Sequence, residues 1–453
     1  MASQLMKSVS GIRGVVGDTM TPELAMGIAA AFAKYVKGGT VILGRDTRCT
    51  GDAISRLTGS TLVLCGCKVI DIGIAPTPTV QIMVEEMKAD GGIIISASHN
   101  PIEWNAFKLV NRDGTFLNSS QMKRFFEIAE EEPDYKKWDR IGTLEENHKS
   151  FDVHNAKIIN AVNTTRIKKK KFRVALDSVN GAGSLITIEL LKSFNCEIIP
   201  VHCEYTGTFP RVAEPLAENL KDLSKAVIEN SADIGFAQDP DADRLAIVDE
   251  KGRPIGEELT VALAVEHLLS KQRGLVVVNL STTKTVEDIA FKYDVPFCRS
   301  KVGESNVVEE MKRKNARIGG EGNGGVISPE IHLGRDSLAG IGYVLEMMAE
   351  RSKTVSELVA ALPKYSMIKG KVSFRREDLD RIYGEFRADY SDEKVSEIDG
   401  MRIDFTSEGP FKGGWVHLRP SNTEPIFRII AEGVDDAQAK QIYAHFAGYM
   451  KLD

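Results

Sequence analysis

The sequence predicts an α/β chain: serial units of mainly parallel sheet, closed by a smaller α+β module. Three stretches carry that reading. GGTVILGRDTR at 38–48, KKFRVALDSVNGAGS at 170–184 and GLVVVNLSTTKTV at 274–286 each run from a β-branched segment through a polar loop. A helical pattern such as TIELLKSF at 187–194 follows, the alternation of a mainly parallel sheet.

Punctuation supplies the domain count. EEEPDYKKWDRIGTLEENHKS at 130–150, DEKGRP at 249–254 and ALPKYSMIKGKV at 361–372 are polar or carry Pro and Gly, as connections on a surface do. They divide the chain into 1–150, 151–253, 254–366 and 367–453. This is finer than the roughly three domains of about 150 residues, each with its own core, that length alone suggests. In the last part KVSFR, MRIDFT, GWVHLRP and FRIIAEG read as strands, and DDAQAKQIYAHFAGYMKL as the closing helix.

Composition excludes several classes of protein. Hydrophobic residues at 42% and charged residues at 27% fit an ordinary globular chain. With 58 basic and 64 acidic residues the net charge is −6, so neither nucleic acid nor an acidic membrane is an expected partner. The KKKK run at 168–171 reads as a solvated domain junction. MASQLMKSVSGIRG lacks a signal-peptide stretch, and no run approaches the ~18 apolar residues of a membrane span, so a cytoplasmic location is expected. The six cysteines, at 49, 65, 67, 196, 203 and 298, form no CxxC pair and read as buried structural thiols in a reducing compartment.

In open α/β sheets ligands sit beyond the carboxyl ends of strands, so polar loops that directly follow apolar runs are where chemistry is expected. Four stand out. In GGIIISASHNP at 91–101, three isoleucines run into two serines, a histidine, an asparagine and a proline. A serine hydroxyl needs a base or cation to become a nucleophile. Ser98 precedes His99 and has Lys108 ten residues on; Ser96, nearer the apolar run, reads as a structural hydroxyl. A surface turn explains the same composition, and Ser98→Ala is expected to leave folding intact.

IGFAQDPDADRLAIVDE at 234–250 alternates Asp239, Asp241 and Asp243. Extended at about 3.3 Å per residue they would spread over roughly 13 Å. Oxygens sharing one Mg²⁺, each about 2.1 Å from it, lie only about 4 Å apart, so the segment must curl, and Pro240 favours a turn. Clustered carboxylates repel without a cation, which favours a metal loop over a solvated acidic turn. An EF-hand would match Glu250 at its twelfth position but needs Gly where Arg244 stands. A phosphatase with Asp239 as nucleophile stays open at this point.

GGEGNGG at 319–325 has dinucleotide-loop spacing but is followed by VISPE rather than a helix. Its glycines suggest close approach of a ligand, with Glu321 and Asn323 gripping hydroxyls; a mobile turn accounts for it equally. GGWVHLRPSNTEP at 413–425 sets Arg419 beside Ser421, Asn422 and Thr423, a combination suited to a phosphate that is not transferred. Metal loop, serine and phosphate loop together imply phosphoryl transfer on a phosphorylated ligand.

Taken in order, SGIRG at 10–14, GRDTR at 44–48, SASHNP at 96–101, DPDADR at 239–244, GEGNGG at 320–325 and RPSNTEP at 419–425 resemble the α-D-phosphohexomutase family over nearly the whole chain. That family includes phosphoglucomutases, phosphomannomutases and phosphoglucosamine mutases. The resemblance implies three similar α/β domains and a smaller C-terminal one around a central cleft. It implies a phosphoryl group on Ser98, and Mg²⁺ held by Asp239, Asp241, Asp243 and the phosphoserine. Arg13, Lys108 and Arg244 would flank the transferring group, Lys108 also carrying a proton, with His99 as an orienting neighbour. Glu321 and Asn323 would hold the sugar. Arg419, Ser421, Asn422 and Thr423 would take the second phosphate on a domain able to swing. A phosphosugar substrate, a sugar bisphosphate intermediate and a monomer or homodimer are implied. Many bacterial members carry a serine and often a histidine where this chain has Asn323 and Gly325. KVGESNV at 301–307 resembles the segment of phosphoglucosamine mutases, which favours glucosamine phosphate over glucose or mannose phosphate. Phosphatase action through Asp239 and phosphosugar binding without turnover are the alternatives.

Overall fold

The computed structural model describes residues 5–9, 11–420 and 426–450. Four sheets follow one another along the chain, and the first three contain the same unit. A central strand has two parallel neighbours, the second of which turns back into an antiparallel partner. In domain I, Thr40–Arg45 lies between Lys68–Ile74 and Gly91–Ile95, and Trp104–Asn111 returns beside the latter. In domain II, Arg173–Asp177 lies between Glu197–Val201 and Ile234–Gln238, with Leu245–Val248 returning. In domain III, Val276–Asn279 lies between Phe297–Ser300 and Ile318–Glu321, with Gly325–Ser328 returning. The loops at 96–103, 239–244 and 322–324 therefore occupy the same topological position in three domains.

Continuous burial explains the apolar runs. GGIII and LAIV are buried at every residue. In domain I alternate side chains serve opposite faces: Ile93 and Ile95 join one core with Phe32 and Phe125, whereas Ile94 joins another with Val80 and Val84. Helix starts are marked by caps. The Thr21 side chain accepts from Leu24 N ahead of Pro22–Tyr35, and Asn118 with Gln121 forms a capping box on Ser119–Ala129. Domain IV is antiparallel, in the order Ser366–Ser373, Ile426–Gly433, Trp415–Pro420, Met401–Asp404 and Lys394–Ser396, with the helix Asp436–Met450 packed against it.

Several expectations need correction. Domains II and III share one core, in which Val174, Phe236 and Ile247 cluster with Val276, Ile318 and Val326, while Leu223 and Val248 in domain II and Val307 and Met311 in domain III belong to smaller clusters of their own. Helices Ser150–Ala161, Glu258–Lys271 and Ser337–Arg351 join the two domains. The segment at 361–372 is not simply a connection, since the strand Ser366–Ser373 begins in it and pairs along its length with Ile426–Gly433. Within 130–150, Thr143–Glu146 pairs in parallel with Lys68–Asp71, although all four of its residues are exposed. All six cysteines are free, but only Cys65 and Cys67 are buried, and Cys49 is exposed. The lysines at 168–171 are exposed, as the junction reading requires. No described helix is long and apolar enough to cross a membrane.

Candidate active site

Ser98 sits at the end of the buried strand Gly91–Ile95 with φ +52°, a left-handed conformation that a neighbouring scaffold must hold. The GRDTR motif supplies it. Asp46 Oδ2 accepts from Ser96 Oγ at 2.6 Å, and Ser96 Oγ accepts from Ser98 N at 3.0 Å. Arg48, fully buried, donates to the carbonyls of Ser98 (2.6 Å), Asn100 (2.7 Å), Pro101 (2.6 Å) and Trp104 (3.1 Å), and pairs with Asp46 at 3.1 Å. The loop is thus not the surface turn that would explain the same composition; Ser98 is 2% exposed. Ser96 has the structural role foreseen for it.

The aspartate loop meets this serine. Ser98 Oγ donates to Asp239 Oδ2 at 2.9 Å, and His99 Nδ1 lies 3.3 Å from Ser98 Oγ. Ala242 at φ +53° helps curl the loop, and the three aspartates each bring one ligand atom within 4.8 Å of the others. Both oxygens of Asp239, and one each of Asp241 and Asp243, are fixed by donors. Asp239 Oδ1 accepts from Arg244 N at 3.2 Å, Asp241 Oδ2 from Lys108 Nζ and Thr77 Oγ1, and Asp243 Oδ2 from Arg335 Nη2 at 2.5 Å. Oδ1 of Asp241 and Oδ1 of Asp243 are buried with no hydrogen-bond partner among the described residues.

Electrostatics show what the cluster lacks. Burial, then the charges of Asp243 and Asp241, push the Asp239 carboxyl well above the usual range. Burial opposes ionisation of Asp241 too, but Lys108 and Thr77 outweigh it and hold that carboxyl low. Orphaned oxygens and mutual repulsion among hard ligands fit a divalent cation. His99 is pushed down to about 2 by burial and then by Arg244 and Arg13, so its ring stays neutral.

The glycine loop is a hairpin between Ile318–Glu321 and Gly325–Ser328 whose Gly322 and Asn323 line a cavity, and its glycines also answer to the protein's own packing. A Cβ at 322 would strike the Glu258 carboxylate, at 324 the Leu245 carbonyl, and at 325 the Arg335 side chain. Glu321 is held by Arg335 Nη1 at 2.8 Å and Asn279 Nδ2 at 2.8 Å, and Asn323 Oδ1 accepts from Gly325 N at 3.2 Å.

Arg13, Ser98, Lys108, Arg244, Glu321 and Asn323 line one cavity of about 360 Å³. Arg13 Nη1 donates to Asn100 Oδ1 at 2.9 Å, and Arg244 Nη1 to Glu214 Oε1 at 2.9 Å. Arg419 lies apart from the serine, in an adjoining cavity with Glu321, Asn323 and His417, where its Nε donates to Asp399 at 3.1 Å. Ser421, Asn422 and Thr423 fall outside the described residues. Sequence reasoning missed Thr77, Glu304, Arg335 and Arg428; Arg428 lines both cavities. Only Arg428 left a local signal, as the outward residue of an alternating strand, FRIIA.

Three repeated domains and a fourth, closing on a basic cleft floored by carboxylates, define a multidomain α/β enzyme of phosphoryl chemistry. Comparison with known proteins gives its family. Residues 5–136, 152–252 and 256–365 match the profiles for phosphoglucomutase/phosphomannomutase alpha/beta/alpha domains I, II and III, and 371–448 match the C-terminal domain. A Thermococcus kodakarensis protein described as "Phosphoglucomutase/phosphomannomutase" is 37% identical over 445 residues, covering 95% of each chain. A Methanopyrus kandleri protein described as "Probable phosphoglucosamine mutase" is 33% identical over 448 residues, 98% of this chain and 97% of its own. The crystal structure of a phosphoglucomutase/phosphomannomutase family protein from Burkholderia thailandensis superposes with a TM-score of 0.85 at 26% identity, covering 98% of both chains. The chain belongs to the phosphoglucomutase/phosphomannomutase family and is a phosphohexomutase.

Proposed function

We propose that this phosphohexomutase interconverts hexose 6-phosphate and hexose 1-phosphate through a phosphoserine at Ser98 and a sugar bisphosphate, with glucosamine phosphate as the preferred pair. The observation that carries the reading is the 2.9 Å contact of Ser98 Oγ with Asp239, inside a cluster of three carboxylates. The resemblance of KVGESNV and the name of the Methanopyrus relative support the sugar.

In this mechanism a sugar hydroxyl oxygen attacks the phosphorus on Ser98, the Oγ–P bond breaks, and the hydroxyl proton passes to Lys108 as Lys108 hands one of its own to Asp241, the carboxylate it already bonds. The bisphosphate then turns about, its other phosphoryl group returns to Ser98 Oγ, and Lys108 gives the proton back to the sugar oxygen. Arg13 and Arg244 neutralise charge on the transferring group, and neutral His99 orients it. Glu321 and Asn323 grip sugar hydroxyls; Arg419, with Ser421, Asn422 and Thr423, holds the phosphate that stays. Asp239, Asp241, Asp243 and the phosphoserine would hold Mg²⁺, which supplies neutralising charge where phosphoserine and carboxylates meet. Domain I thus carries the nucleophile, II the metal loop, III the sugar loop and IV the phosphate loop. Measuring kcat/KM for the 6-phosphates of glucosamine, N-acetylglucosamine, glucose and mannose tests the substrate. Glucosamine 6-phosphate is expected to lead; a higher value for any of the others overturns that assignment.

A further inference from the structure

We propose that Arg335 is a positioning residue that ties the metal-binding loop to the sugar-side loop, and that position 325 is glycine so that this side chain can pass. The inference rests on the reading of Asp239, Asp241 and Asp243 as cation ligands. Arg335 ends the strand His332–Arg335 and spends each guanidinium nitrogen on a different acid. Nη2 donates to Asp243 Oδ2 at 2.5 Å, Nη1 to Glu321 Oε2 at 2.8 Å and Nε to Glu304 Oε2 at 3.0 Å. A guanidinium is a rigid planar fork, so holding it fixes the three carboxylates relative to one another.

Each acid leads elsewhere. Asp243 belongs to the metal loop, and with Oδ2 taken by Arg335 its Oδ1, which among the described residues has no hydrogen-bond partner and only the Arg244 Nε ion pair at 3.8 Å, is the oxygen left to face a cation. Glu321 opens the glycine hairpin, and its Oε1 accepts from Gly303 N at 2.8 Å. Glu304 starts the helix Glu304–Lys314, and its Oε1 accepts from Gln81 Nε2 of domain I at 3.2 Å. One buried cation therefore spans parts of domains I, II and III.

Gly325 makes this possible. A Cβ there would collide with Cδ of Arg335, so a side chain at 325 and the observed path of Arg335 exclude each other. Lysine at 335 would keep a positive charge but offer one compact head group in place of a fork.

The test uses full-length protein and Mn²⁺ as the probe, with affinity read by electron paramagnetic resonance and folding by circular dichroism. Arg335→Lys is expected to weaken Mn²⁺ binding by about 10-fold or more, the usual consequence of losing a partner that orients a ligand. Gly325→Ala is expected to do the same by displacing an intact Arg335, and it stands in if the lysine variant does not fold. The double variant should bind no more weakly than the weaker single one, because both changes remove the same contact. Unchanged affinity in either single variant, or fully additive losses, overturns the proposal. Asp241→Asn separates the two levels: if it loses Mn²⁺ and Arg335→Lys does not, only the role of Arg335 falls. If Asp241→Asn binds as the parent does, the cation-site reading falls with it.

Discussion

At the scale of single residues, Ser98 is presented by a buried ion pair rather than by its own turn. Arg48 and Asp46 are fully buried and satisfy the loop's carbonyls and Ser96 together. Arg48→Met would leave the Asp46 carboxylate buried and uncompensated, which costs about 3–5 kcal/mol. Urea unfolding should show that loss, and mutase activity should fall with it. Ser98→Ala removes one hydroxyl, so folding is expected to survive, while turnover drops on the order of 10⁴-fold or more, the scale of losing a covalent nucleophile. Full turnover in that variant, with sugar bisphosphate added, would refute the assignment. His99 and Asp241 follow from motifs written in consecutive residues. Arg335 does not, because its partner Asp243 lies 92 positions away and only the folded chain brings them together.

At the scale of elements, the repeated unit explains why three motifs scattered through the sequence converge. Each occupies the turn between the third strand and its antiparallel return, so three similar domains deliver three loops to one cleft. The strands were legible because burial on both faces demands continuous apolar residues, as in GGIII and LAIV. Thr143–Glu146 was not, since an exposed edge strand has no apolar pattern to read. The glycines of 319–325 were only half legible, because sequence shows that a Cβ is absent without showing which protein neighbours also fill the space. In domain II, His202 follows the strand Glu197–Val201, with Nδ1 3.5 Å from Asp177 and Nε2 3.5 Å from Asp222 on the helix Lys221–Glu229. Asp177, aided by Asp222 and opposed by burial, raises the histidine's pKa above its usual value. The charged ring favours the folded state, so this contribution is complete below about pH 6.5 and is lost as pH rises through the raised value. Thermal midpoints measured between pH 6 and 9 should therefore fall less steeply with pH in His202→Asn than in the parent protein.

At the scale of the molecule, the division of labour and the division of cores differ. Domain IV has its own core around Phe386, Phe427 and Phe446, and it docks on domain III through polar contacts. Arg402 Nη1 donates to the Leu280 carbonyl, Lys284 N donates to Glu432 at 2.7 Å, and Val302 N donates to Asp399 at 2.9 Å. Hydrogen bonds of this kind can exchange with water when an interface opens, which suits a domain that moves during turnover. Domains II and III share one apolar cluster and have no such freedom. Leu345→Ala, deep in that shared cluster, should cost about 2–5 kcal/mol. Hydrogen exchange should quicken together in Arg173–Asp177 and Val276–Asn279; quickening in one sheet alone would show separate cores.

In the proposed mechanism one hydroxyl carries phosphorus to and from the sugar. Its most direct measurement is intact mass with phosphopeptide mapping after exposure to a hexose bisphosphate, followed by a chase with hexose 6-phosphate. The expected result is a single phosphoryl group on Ser98 that leaves on the chase and is recovered as sugar bisphosphate. A phosphoryl group on Asp239, or its release to water as inorganic phosphate in place of transfer to sugar, would contradict the account.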